Sequence, residues 1–328
     1  MKMLGLTCGS KKGNSEILIK SALMGAEELG MEVELLRMSD LDIRPCIACP
    51  LGTCPSMIKG PTGCVIKDDA PFLYDKMMDC DAIIFSVPIY TKTPPGQLKA
   101  IGDRILGPKV DVAFKIEQKK LKEESANPIF ADAWIDERVF KNRVGGLISV
   151  GGATSPDWVN LGLPLLHIMT FSWQIAIVDQ MQVMGAGFPG SVLVNEDKPV
   201  ERAKKLGRNI AEQVGKPFNN VEYKGDDPGI CPVCHLNMIA FRNGYVECVV
   251  CGSHGQIKMV GDKPTVEFPE EWQKKSILQL EGKRIHFYEI MEVTKKHMPQ
   301  MEKIKELAKP YHEYDRLIKP PRKKTIKR

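Results

Sequence analysis

Residues 2–16 read KMLGLTCGSKKGNSE. The apolar run at 3–7 suits a buried strand, and Leu18, Ala22, Ala26 and Leu29 then recur at helical spacing until Gly30 stops the helix. Between strand and helix lies Thr7-Cys8-Gly9-Ser10-Lys11-Lys12-Gly13-Asn14-Ser15, rich in hydroxyls, glycines and backbone amides and free of bulky apolar side chains. Such a turn solvates a phosphate with successive N–H groups and the positive end of the helix, while Ser10, Asn14 and Ser15 add side-chain donors. The spacing is neither G-x-x-x-x-G-K-[ST] nor G-x-G-x-x-G, so one phosphate fits better than two or three. Gly and Ser in a strand-to-helix turn also serve helix capping alone, and the rest of the chain has to decide.

Outward from this stretch, apolar runs at 32–37, 82–87, 144–150 and 174–183 alternate with amphipathic segments at 69–79, 96–106, 156–171 and 200–214. That alternation predicts an α/β fold: a doubly wound, five-stranded parallel sheet of flavodoxin-like order over residues 1–214. In such a sheet a ligand sits beyond the carboxyl ends of the strands, where strand order reverses between the first and third. The third strand ends in Ser86-Val87-Pro88-Ile89-Tyr90. Pro88 stiffens that loop, Tyr90 can lie along a flat heteroaromatic ring, and backbone amides can reach the ring's polar edge.

The segment 107–142 interrupts the rhythm with charged KIEQKKLKEES and then aromatic PIFADAWIDERVF, and reads as an insertion suited to a lid or a contact surface. Residues 215–229 read as a linker, 230–258 as a small cysteine module, and 259–328 as a helical extension with a basic tail. Six basic side chains in 319–328 account for the net charge of +5. No stretch is long and apolar enough to span a bilayer and no leader pattern opens the chain, so a cytoplasmic protein is expected. Nucleic acid is an unlikely partner, since a basic terminus is usually a solvated one.

Ten cysteines in a reducing compartment point to metal or redox chemistry rather than disulfides. Cys8 and Cys80 read as buried thiols. Cys46-x2-Cys49-x4-Cys54-x9-Cys64 supplies four soft ligands on one loop, suited to a 4Fe-4S cluster or a zinc ion, or else to thiols that only pack. Cys231-x2-Cys234 and Cys248-x2-Cys251 are two knuckles on either side of an Arg242-Asn243-Gly244-Tyr245 hairpin, a four-cysteine ribbon. His235 and His254 are bystanders on this reading, because four cysteines fill a tetrahedral site.

GSKKGNSE, the four cysteines ending in CVIKDD, the SVPIY loop and the LKAIGDR helix follow in order the pattern of the NAD(P)H-dependent FMN reductase family. The chain resembles its iron-sulfur flavoprotein branch in particular, over about residues 1–214 without the insertion. The resemblance implies FMN, its phosphate held by Ser10, Lys12, Gly13, Asn14 and Ser15. It implies ring contacts from Pro88, Ile89, Tyr90 and Thr91 and from the loop after the fourth strand, here Gly151, Gly152 and Ala153. It tips Cys46, Cys49, Cys54 and Cys64 towards a 4Fe-4S cluster. It also implies a homodimer or homotetramer, with the cluster of one subunit near the flavin of another. The second set resembles zinc ribbons and, more loosely, rubredoxin, which holds a single iron. His235 stands where rubredoxins usually carry glycine, which favours zinc. The expected function is electron transfer between a carrier such as ferredoxin and an acceptor. The alternative is an NAD(P)H-dependent flavin, quinone or small-molecule reductase with structural cysteine sites. No catalytic acid or base can be assigned from the residues.

Overall fold

The computed structural model describes residues 1–49, 54–124 and 134–318. Five strands, β1 (Lys2–Thr7), β2 (Glu32–Arg37), β3 (Ala82–Pro88), β4 (Arg143–Val150) and β5 (Ile175–Val183), pair in parallel in the order β2-β1-β3-β4-β5. The three central strands are buried on both faces, which is why their sequences are near-continuous apolar runs rather than alternations. Each expected strand is present to within a residue at either end.

Helices in chain order are α1 (Asn14–Glu27), α2 (Pro55–Lys59), α3 (Ala70–Asp79), α4 (Gly96–Arg104), α5 (Val112–Glu124), α6 (Gly162–Thr170), α7 (Pro199–Ala211), α8 (Glu270–Lys274), α9 (Leu280–His297) and α10 (Met301–Glu313). On one face of the sheet Leu18, Ile19 and Ala22 of α1 pack with Ala203, Leu206 and Ile210 of α7. These two helices touch backbone to backbone, since a Cβ on Gly25 would strike the Lys204 carbonyl and one on Gly207 the Ala22 carbonyl. The other face is covered by α3, α4 and α6 through Leu73, Met77, Leu98, Ile101 and Leu166, with Trp173 fully buried among them.

Three expectations change. The helix foreseen at 156–171 is a single 3-10 turn, Pro156–Trp158, followed by α6 from Gly162, where the backbone packs so close to the sheet that a Cβ would strike the Ser149 hydroxyl. The segment 107–142 carries α5, whose Val112, Ala113 and Phe114 are buried. The Lys115 ammonium is buried too, donating to Gln118 Oε1 at 3.1 Å and to the Trp134 carbonyl at 3.0 Å. The first half of α5 is therefore largely packed into the core, while residues 119–120 and 122–124 are exposed; residues 125–133 lie outside the described residues. The antiparallel sheet β6 (Ile239–Arg242), β7 (Tyr245–Cys248), β8 (His254–Val260) and β9 (Lys263–Glu267) crosses residue 258, where the helical extension was expected to begin. Arg242 pairs with Tyr245 across an Asn243-Gly244 turn, with Gly244 at φ +87°.

Contacts divide the chain into two units, Met1–Arg284 and Ile285–Arg328. In the second unit α10 buries none of its residues, and the basic tail 319–328 lies outside the described residues. No helix among the described residues is long and apolar enough to cross a membrane.

Candidate functional site

Strand β1 delivers the chain into the turn 8–13, and α1 opens at Gly13 with extended backbone and no side-chain cap. The first amides of α1 thus face outward without a capping acceptor, as an anion site requires. A cleft of about 280 Å³ lies over them. It is lined by Gly9, Ser10, Gly13, Asn14 and Ser15, by Pro88, Ile89 and Tyr90 after β3, by Val150 and Gly152 at the end of β4, and by residues 186–189 after β5. Ser15 is fixed from below, because Ser86 Oγ donates to its carbonyl at 2.8 Å.

The side-chain roles differ from expectation. Asn14 does not stand free to meet a phosphate: its Nδ2 donates to the carbonyls of Ala186 and Phe188, both at 2.9 Å, and so ties the loop after β5 to the start of α1. Lys12 is exposed, at φ +60°, and lies off the cleft. The amides of Ile89 and Tyr90 are already spent on the carbonyls of Val150 (2.8 Å) and Thr93 (2.9 Å), so this loop offers surface rather than donors there. Thr91, at φ +51°, belongs to that turn and does not line the cleft. Gly151 and Ala153 zip onto the β5 loop, Gly151 donating to the Val183 carbonyl and Ala153 accepting from Gly185 (each 2.8 Å), and only Gly152 of the three faces in. The unforeseen wall is Gly187-Phe188-Pro189. Phe188 is 77% exposed and Tyr90 58%, so two aromatic rings stand uncovered at one opening. The signal was present in MGAGFPGS after β5, a glycine-rich turn carrying a phenylalanine with nothing to bury it.

Glu16, buried in the first turn of α1, holds the turn 8–13 in shape. It accepts from the Lys12 amide (3.0 Å), Lys20 Nζ (2.6 Å) and Arg37 Nε (2.9 Å). The Arg37 hydrogen bond, together with those from Lys20 and Lys12, outweighs burial and brings its pKa down from 4.5 to about 2. A folded-state pKa below the unfolded one stabilises fully above about pH 4.5 and is lost as pH falls towards 2. Glu16→Gln is expected to flatten the fall in urea-unfolding midpoint between those values; a profile that still falls as steeply contradicts this role.

Cys46, Cys49, Cys54 and Cys64 line a single small pocket with Ile47, Pro55, Ser56, Val65, Ile66, Arg104 and Lys109. Their sulfurs do not converge to single-ion distances; among the described residues only Cys231, Cys234, Cys248 and Cys251 do so, with all ligand atoms within 4.8 Å. In that second set Cys231 and Cys251 sulfurs are 3.4 Å apart and those of Cys234 and Cys248 3.5 Å, and all four are fully buried. Bonds of about 2.3 Å to a tetrahedral ion place sulfurs about 3.8 Å apart, close to what is seen. The residue after each knuckle is left-handed, Gly252 at φ +74° and His235 at φ +57°. His235 tolerates this because its ring stacks on Tyr223 at 3.6 Å and its Nδ1 lies 3.0 Å from the Pro228 carbonyl. His254 stacks on Trp272 at 3.9 Å. Both rings are thus engaged outside the four-sulfur group. Gln180 of β5 keys the ribbon to the sheet, donating to the carbonyls of Cys234 (3.1 Å) and His235 (2.8 Å) while its Oε1 meets His167 Nε2 at 2.8 Å.

A parallel five-stranded sheet with its cleft over an uncapped α1 and the loops after β3, β4 and β5 defines a flavodoxin-like flavoprotein. Residues 1–186 match the family model described as NADPH-dependent FMN reductase, and the chain belongs to that family. It is a flavin-dependent oxidoreductase. It is 35% identical over 298 residues to the flavone synthase cfoJ of Aspergillus candidus, covering 88% of each chain. An iron-sulfur flavoprotein of Archaeoglobus fulgidus is 35% identical over 214 residues, 65% of this chain and 80% of that one. A solved flavone reductase superposes with a TM-score of 0.78 at 32% identity, covering 98% of this chain and 100% of the other.

Proposed function

We propose that this chain is an FMN-dependent reductase of a planar, conjugated small molecule of the flavone kind, with an iron-sulfur centre on the loop 46–64 and zinc in the ribbon. The observation that carries the reading is the cleft, in which an uncapped helix N-terminus lies at one end and the exposed rings of Tyr90 and Phe188 stand at the opening. The α1 amides with Ser10 and Ser15 hold one phosphate, Gly13 and Gly152 let the ligand lie close to the backbone, and the two rings receive a flat substrate by stacking. Bound FMN would supply the exchange between two-electron and one-electron chemistry. The likeness to a flavone reductase runs through the ribbon as well as the sheet, which supports the substrate class.

The four-cysteine pocket supports electron entry from a one-electron carrier such as ferredoxin. The family's description supports a second reading, direct reduction by NAD(P)H. Stopped-flow mixing under anaerobic conditions separates them. Rapid bleaching of the flavin by reduced ferredoxin with slow bleaching by NADH and NADPH is the expected result; the reverse order makes the nicotinamide the donor. A homodimer or homotetramer, which the resemblance to the iron-sulfur flavoprotein branch implies, is the proposed working form. The many unpaired cysteines support a reducing, cytoplasmic setting.

A further inference from the structure

The pocket of Cys46, Cys49, Cys54 and Cys64 is also lined by three polar side chains that are not ligands, Ser56, Arg104 and Lys109, of which Ser56 and Arg104 are buried. Ser56, in the first turn of α2, is 3% exposed, and its Oγ has no hydrogen-bond partner among the described residues. A buried hydroxyl without a partner is destabilising, so its presence against four thiols calls for an acceptor that arrives with a bound group. Arg104, the last residue of α4, is 5% exposed and forms a fork on Asp68, Nη1 to Oδ2 at 2.7 Å and Nη2 to Oδ1 at 3.0 Å. Its Nη1 also donates to the Arg44 carbonyl at 2.8 Å, while Asp68 accepts from the amides of Arg44 (3.0 Å) and Ala70 (3.1 Å). One buried ion pair therefore closes the neck of the cysteine loop on both sides, and the guanidinium lines the same pocket as Cys64.

Resting on the reading that this loop carries an iron-sulfur centre, we propose that Ser56 and Arg104 are its positioning residues and raise its reduction potential. One-electron reduction adds negative charge to a centre already bearing four thiolates. A hydrogen bond donated to sulfur and a fixed cation both favour the reduced form. Arg104 has a second consequence: α4 begins just past the Pro88–Tyr90 loop of the cleft, so the same helix bounds the flavin loop at one end and the cysteine loop at the other.

The test uses the full chain purified anaerobically, with iron, acid-labile sulfide and FMN measured per chain and the midpoint potential of the centre followed by redox titration. Ser56→Ala is expected to keep iron and FMN and to shift the midpoint to more negative values. Arg104→Met is expected to lose part of the iron and shift the same way, and Arg104→Lys to recover the potential more than the iron, since it keeps the charge but not the fork. FMN content stays at the wild-type level in all three. Wild-type iron and wild-type potential in both Ser56→Ala and Arg104→Met overturn the inference alone. Absence of iron and sulfide from the wild-type protein overturns the parent reading and the inference with it. Should Arg104→Met fail to fold, the potential of Ser56→Ala decides.

Discussion

A Ser15→Glu protein is expected to purify without flavin. Ser15 is buried, lines the cleft in the first turn of α1, and is held there by Ser86 beneath it, so a longer acidic side chain is expected to extend into the cleft where the phosphate is proposed to sit. The carboxylate would satisfy the open amides itself and set negative charge against a phosphate. Charge-assisted hydrogen bonds are worth about 1.5–3 kcal/mol each, so losing even the weaker end of two of them weakens binding by roughly 100-fold. Equilibrium titration of apoprotein with FMN checks the effect. Ser15→Ala, which removes one donor and leaves the amides open, is expected to cost about tenfold or less. Unaltered FMN affinity in Ser15→Glu would place the phosphate elsewhere.

The second large effect concerns the ribbon. The module buries little apart from its sulfurs, Val246, Val250 and Phe268, too small a core to fold without a staple. A four-thiolate ion contributes about 10–16 kcal/mol to the folding of such a module near neutral pH. Cys248→Ser, or removal of the metal with a strong chelator, is expected to abolish amide-exchange protection through 230–267. Loosening should reach β5 through Gln180, which holds the knuckle carbonyls of Cys234 and His235. The cleft is built on other loops and is expected to keep its flavin. Protection in 230–267 that survives complete metal loss contradicts a metal-stapled ribbon.

The parallel sheet was legible because its strands are long apolar runs whose period and spacing leave one arrangement, and helices α1, α3, α4 and α7 followed from the same alternation. What sequence could not convey was how polar side chains are spent. Asn14 sits at the start of α1 and looks like a ligand donor, yet the structure commits it to the carbonyls of Ala186 and Phe188, partners about 170 residues away along the chain. The amides of Ile89 and Tyr90 were committed in the same way, to strand-end pairing that only tertiary structure reveals. The Gly187-Phe188-Pro189 wall escaped notice because a loop after the last strand of a sheet carries no periodicity. The cysteine knuckles were the most legible feature, since metal-ligand spacing is a local property. The buried pair Arg104 and Asp68 was invisible, because 36 residues separate its members.

The proposed delivery of electrons from the flavin to a planar conjugated substrate can be followed in one anaerobic experiment. Protein reduced until the flavin absorbance is bleached is freed of excess reductant and mixed with flavone in the absence of oxygen. The oxidised flavin band is expected to return, and the dihydro product, flavanone, to appear in matching amount. A flavin that stays reduced in the presence of flavone, while dioxygen still reoxidises it, would rule out an acceptor of the flavone kind.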